Sequence, residues 1–430
     1  AALAPAPPEK ALPARSREHC AGVLAPTRLP ALELAPERRR NVIFISIDSV
    51  RADFVRRARP DGSVAMPAVA RFMAESRAAR PAHAAYPATL MSLASALTGA
   101  APTDLLLAPD AYPTLFQLTS GRFDHVEVVL PSSRYFARPE VRTRLLSGAK
   151  VFSAGGATRQ TRYARDLLQG LREQGKSHFV WLHYFDPHEP YDTHPPHDFG
   201  DSDPQRYLSE LAYVDDTLQP LLELLRSEGW YDDSLIALFS DHGESFGERG
   251  HRYHHHLLYT WLLSVPFALH APGLAPGLFE GPVQLTDLTP TVLQFLGVSP
   301  TRPSRGLPLL AADPAPDRAL FSEEIPVNSR VLQELREQPL ASEADVLARL
   351  RRIERGYGYV SKLAVTRSGY QLVQHRDSQA VELYDVAHDP RAERDLADAQ
   401  PARRAALAAE LAELRRDMLL RALCELPSAR

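Results

Sequence analysis

Two continuous apolar, β-prone runs, Asn41–Ile47 and Ser234–Ser240, each end abruptly in groups able to bind a metal. Runs of this kind read as strands buried on both faces, as in parallel sheets. The first delivers Asp48. The second delivers Asp241 and His242, followed by Gly243, where the backbone can turn sharply. Further strands are predicted at 124–130, 178–184 and 265–270, and helices at 67–76, 163–174, 204–227 and 286–296. Strand alternating with helix predicts an α/β fold: a mostly parallel sheet sandwiched by helices. In such sheets ligands bind beyond the carboxyl ends of the strands, where Asp48, Asp241 and His242 lie.

The pattern changes after about residue 306. Short alternating runs at 360–365, 370–375 and 381–384 are separated by Ser368-Gly369 and Asp377-Ser378, which predicts a small antiparallel sheet. An amphipathic helix at 343–355 precedes it, and an alanine- and leucine-rich helix at 401–423 follows. Residues 1–40, rich in alanine and proline, read as an extended lead-in. The expected organisation is a lead-in over 1–40, a catalytic α/β domain over 41–310 and a C-terminal subdomain over 311–430.

A net charge of −4 over 430 residues gives no reason to expect nucleic acid as a partner. No apolar run is long enough to span a bilayer. Position 1 is not methionine, which fits an upstream signal or membrane anchor lying outside this chain. The cysteines, Cys20 and Cys424, lie near opposite ends. They are either two free thiols or one disulfide closing a very long loop; a disulfide would imply an exported, periplasmic or extracellular protein.

Between the two ligand-bearing strands, Pro87 precedes a short helical stretch that runs from Thr89 to Gly99. Thr89 falls in its first turn, where free backbone amides favour an anion. It is either a cap of the helix or, beside a metal, a nucleophile.

At these residues the chain resembles the sulfatase family of the alkaline phosphatase superfamily. The resembling segments follow the family's order: NVIFISIDSVRAD from Asn41, TLMSLASALTG from Thr89, HYFDPHEPY from His183 and SDHGESFGE from Ser240. YTWLLSVP from Tyr259, DLTPTV from Asp287 and ELYDVAHDP from Glu382 continue it. The resemblance implies an alkaline-phosphatase/sulfatase-like fold. It departs from the family at the nucleophile. Sulfatases carry C-x-P-x-R, or a serine version, whose first residue becomes formylglycine; here those positions hold Thr89, Met91 and Leu93. The pattern is similar to the threonine-nucleophile branch of hydrolases and transferases.

The resemblance further implies one divalent metal held by Asp48, Thr89, Asp241 and His242. An imidazole among oxygens favours zinc, with manganese or calcium as alternatives. His188 is expected to face the substrate's anionic group, and His254, as an imidazolium, to assist the leaving group. His256 is a weaker second candidate, and Arg51 either orients Asp48 or forms a surface salt bridge. His251 and His255 read as solvated or structural, Ser92 and Ser95 as local hydrogen-bonding residues, and Glu244 as an anchor of its turn. From Asp186, the Asp-x-x-x-His spacing of a second metal site reaches Pro190, so one metal is expected. The expected activity is phosphoester hydrolysis or phosphoryl transfer through Thr89, on a small-molecule or lipid- or glycan-linked substrate. The alternatives are sulfate-ester hydrolysis without formylglycine, and a non-catalytic binding protein of the same fold.

Overall fold

The computed structural model describes residues 17–32, 40–132, 135–325, 338, 340–355 and 361–426. Asn41–Ile47 is the centre of the main sheet. It pairs in parallel with His178–Tyr184 on one side and Ser234–Ser240 on the other. His125–Leu130 and then Lys150–Ser153 extend the parallel part beyond His178–Tyr184. Phe267–His270 runs antiparallel beside Ser234–Ser240, and Arg77–Ala78 and Gly277–Leu278 complete the eight strands.

The central strand is apolar throughout because both of its faces are covered. Val42 and Phe44 point into one core, with Leu93, Leu97 and Leu293 from the helices Thr89–Thr98 and Leu288–Leu296. Ile43, Ile45 and Ile47 point into the other, with Val69, Leu168 and Leu211 from Pro67–Ala74, Ala157–Glu173 and Asp203–Ser227. This α/β sandwich is the expected fold class.

Several elements differ from expectation. The helix predicted at 163–174 begins earlier, at Ala157. Its polar first turns cover the ends of the strands, where buried Gln160 donates to the carbonyls of Val129 (2.9 Å) and His183 (2.7 Å). The small antiparallel sheet has four strands rather than three: Leu320–Glu324 precedes Lys362–Arg367, Tyr370–His375 and Val381–Asp385. Residue 360, the first of the predicted strand 360–365, lies outside the described residues. The extended lead-in predicted over 1–40 contains a helix, Arg17–Val23, which packs on the last helix, Pro401–Cys424. Cys20 and Cys424 are joined there in a disulfide, and both are buried. Among the described residues no helix is long and apolar enough to cross a membrane.

Candidate active site

Three adjacent strands end at one place. Asp48 follows the central strand, and its amide donates to the Tyr184 carbonyl at 2.8 Å. Asp241 and His242 follow the neighbouring strand. The two strand ends are then tied crosswise: the amides of Ser49 and His242 donate to Asp241 Oδ1 at 3.2 and 3.0 Å. The Val50 amide donates to Ser240 Oγ (2.8 Å), and Ser240 Oγ donates to the His242 carbonyl (2.9 Å). Gly243 serves close approach rather than an unusual dihedral. Its amide donates to the Leu262 carbonyl, and a Cβ at this position would lie 2.0 Å from the carbonyl oxygen of Trp261.

Thr89 is delivered from a different layer. The segment before it is held by backbone hydrogen bonds from Ala84 to Leu263 and from Glu323 to the Ala85 carbonyl. The cap residue of its helix is Ala88, so Thr89 is the first helical residue and not the cap. Its hydroxyl lies 3.2 Å from Asp48 Oδ2 and 3.3 Å from His242 Nε2. Ser92, one turn on, donates to the Asp241 carbonyl at 2.6 Å, which fixes the helix against the second ligand strand.

Asp48, Asp241, His242 and His183 have no solvent exposure. Burial pushes the Asp48 carboxyl up, but the imidazoles of His183, His188 and His242 beside it outweigh that and hold it below the usual carboxylate range. Burial, and then the charge of Asp48, push Asp241 up to about 7. Burial lowers His242, whose Nδ1 donates to the Gly243 carbonyl at 2.8 Å and leaves Nε2 with its lone pair. Two buried carboxylates side by side, with Asp241 Oδ2 and His183 Nε2 lacking any hydrogen-bond partner, suit a divalent cation. Asp48, His183 and Asp241 present ligand atoms within 4.8 Å of one another. His242 Nε2 joins them at 3.8 Å from Asp48 Oδ1 and 3.6 Å from Asp241 Oδ2.

His183 is absent from the candidate ligands read in the sequence. Its signal was present: it too stands at the carboxyl end of an apolar strand, His178–Tyr184, in register with Ser46 of the central one.

Of the other predicted residues, His188 and His254 are brought to the site. The His254 ring lies 4.5 Å from that of His242 and 4.9 Å from that of His188. His188 stacks on Phe185 and donates from Nδ1 to the Glu189 carbonyl at 2.6 Å. His254 departs from the expected imidazolium. Burial, then the adjacent His242, His255 and His188, hold it well below the ordinary histidine value, so it is neutral. Glu244 anchors its turn through the Ser245 amide (3.1 Å), with His254 Nδ1 3.5 Å away. Arg51 does not reach Asp48. It pairs with Asp53 and Glu248 and donates to the Glu244 carbonyl, bracing the loop instead. His256 sits outward, its Nδ1 3.7 Å from Glu324 of the C-terminal sheet.

A mostly parallel sheet thus gathers buried carboxylates, imidazoles and a helix-borne hydroxyl at one end. A model of the sulfatase family matches residues 40–298, and the chain belongs to that family. It is 34% identical over 93 residues to a choline-sulfatase of Rhizobium meliloti, covering 22% of this chain and 18% of that protein. It is 28% identical over 144 residues to lipoteichoic acid synthase 2 of Bacillus subtilis, covering 31% and 22% of the two chains. The chain therefore spans about a fifth of the length of these relatives. Its fold is similar to that of a phosphonate monoester hydrolase of Agrobacterium radiobacter, with a TM-score of 0.68 and 17% identity over 88% of this chain and 96% of that one.

Proposed function

We propose that the chain is a metal-dependent phosphoester hydrolase or phosphoryl-group transferase with Thr89 as nucleophile. The observation that carries this is the Thr89 hydroxyl, at the start of its helix and turned onto Asp48 and His242 instead of capping a backbone amide. A bound divalent cation, zinc favoured by the imidazoles among the carboxylates, would ease loss of the hydroxyl proton and offset charge on the transferred group. Asp48, ionised throughout the neutral range, orients the hydroxyl as hydrogen-bond acceptor. Thr89 Oγ gives its proton to solvent and bonds to phosphorus while the bond to the leaving oxygen breaks; that oxygen takes a proton from solvent, giving a phosphothreonine and a freed alcohol. Neutral His254 donates a hydrogen bond to the departing oxygen, and His188, with Nδ1 anchored, turns its other nitrogen toward the phosphoryl oxygens. Water or an acceptor hydroxyl releases the phosphoryl group and restores Thr89.

The similarity to lipoteichoic acid synthase 2 supports a lipid-linked substrate; a glycan-linked or small-molecule ester is the alternative. The similarity to a choline-sulfatase favours a second reading, sulfate-ester cleavage without formylglycine. The buried Cys20–Cys424 disulfide supports an exported location, periplasmic or extracellular. The test is the initial rate of zinc-loaded protein on matched aryl phosphate and aryl sulfate esters, beside a Thr89→Ala variant. Phosphate cleavage that falls at least about a thousandfold in the variant is expected, on the scale of losing a nucleophile. Preference for sulfate, or activity that survives the substitution, would overturn the assignment.

A further inference from the structure

We propose that His183 is a protein ligand of the metal, adding a second imidazole to the set formed by Asp48, Thr89, Asp241 and His242. The inference rests on the metal-dependent function proposed above and concerns how this chain builds the centre.

The hydrogen bonds around Ser46, together with an Nε2 that has no partner, favour one tautomer of His183. The Trp181 indole can only donate, and it donates to Ser46 Oγ at 2.8 Å. The Leu182 carbonyl, 3.4 Å away, is an acceptor within reach of the Ser46 hydroxyl proton. With the hydroxyl proton on that side, Ser46 Oγ accepts from His183 Nδ1 at 2.8 Å; the proton on Nδ1 and the lone pair on Nε2 also fit an Nε2 that has no hydrogen-bond partner. That lone pair faces Asp48 Oδ2, itself an acceptor, at 3.4 Å. A charge-assisted N–H···O bond would be about 2.7–2.9 Å, so the separation does not describe a close histidine–carboxylate hydrogen bond. Two electron pairs aimed at each other in a fully buried place repel unless a cation lies between them.

The surroundings hold the ring in this pose. Phe136 packs edge-on against it with centroids 5.2 Å apart, Trp181 lies at 5.9 Å, and the helix residue Gln160 grips the His183 carbonyl. A ligating histidine whose other N–H is fixed by a polar partner is the usual arrangement at metal centres. The Trp181–Ser46 pair plays that part here.

The test is zinc K-edge X-ray absorption on the zinc-loaded full chain, with affinity measured by chelator competition, for wild type, His183→Ala and His183→Gln. The expected result is one zinc per chain with two imidazoles in the wild type and one in either variant, and affinity lowered at least about tenfold. A single imidazole in the wild type, or an unchanged count in a folded variant, would overturn His183 as a ligand while leaving the metal-dependent function intact. A wild-type chain that holds no zinc would overturn both. If neither variant folds, the wild-type imidazole count decides alone.

Discussion

Asp48 and Asp241 occupy the same small, dry volume and are driven in opposite directions. The imidazoles hold Asp48 ionised, whereas burial and the charge of Asp48 make ionising Asp241 costly. Without metal, Asp241 is therefore a destabilising residue near neutral pH. Asp241→Asn is expected to raise the melting temperature of the metal-free protein at pH 8 and to abolish the increase that zinc gives the wild type. Calorimetry with and without zinc checks both, and a lower metal-free melting temperature would mean that the two amides bound to Asp241 outweigh the buried charge. At this scale the sequence was informative about which residues carry polar chemistry after an apolar run. It did not reveal the charge of His254, because that depends on burial and then on three imidazoles, His242, His255 and His188, closing around it. Nor did it reveal where Arg51 points, since its partner Glu248 is far along the chain.

The elements place these residues by close contact between backbones. Gly243 shows how little freedom remains: an added methyl would meet the Trp261 carbonyl, which belongs to a segment that cannot withdraw without disturbing Leu262 and the hydrogen bond it accepts. Gly243→Ala is expected to cost roughly 1–3 kcal/mol, the usual range for overpacking a tight site, and to weaken zinc binding because His242 precedes it. Urea unfolding and a zinc titration measure the two effects; a variant with wild-type stability and affinity would show that the strand end is more pliant than its contacts indicate. The long apolar strands were legible in the sequence because burial on both faces leaves a continuous signature. Two-residue strands such as Arg77–Ala78 were not, since they owe their existence to neighbours already in place. Leu320–Glu324 carries Ser, Glu and Glu on a strand whose polar residues are buried by tertiary partners, which masks the usual alternation.

Over the whole molecule, the disulfide ties the first described helix to the last. Its 404-residue separation places it among the long loops for which loss of unfolded-state entropy contributes about 2–5 kcal/mol. Buried carboxylates give the molecule a pH dependence on the alkaline side. Burial raises Glu210 and Glu244 to about 8 and Asp241 to about 7. In the unfolded chain these groups are ionised by pH 6.5, while the folded protein still holds their protons. The folded state thus binds more protons, and its stability falls as pH rises from about 6.5 to about 8. The urea midpoint of the metal-free protein should decline across that window, with a shallower decline for Glu210→Gln. A flat or rising midpoint would mean that these groups ionise normally in the folded state.

The sequence by itself determined the α/β class, the strands that end in Asp48 and Asp241, and the position of Thr89 at the start of a helix. Those features are written in local periodicity and in residues adjacent along the chain. Tertiary structure decided the rest. It turned the Thr89 hydroxyl into the site, set His183 beside Asp48, made His254 neutral, sent Arg51 elsewhere and joined Cys20 to Cys424. Each of these depends on distances between segments far apart in sequence, and on the loss of water around charges when those segments close.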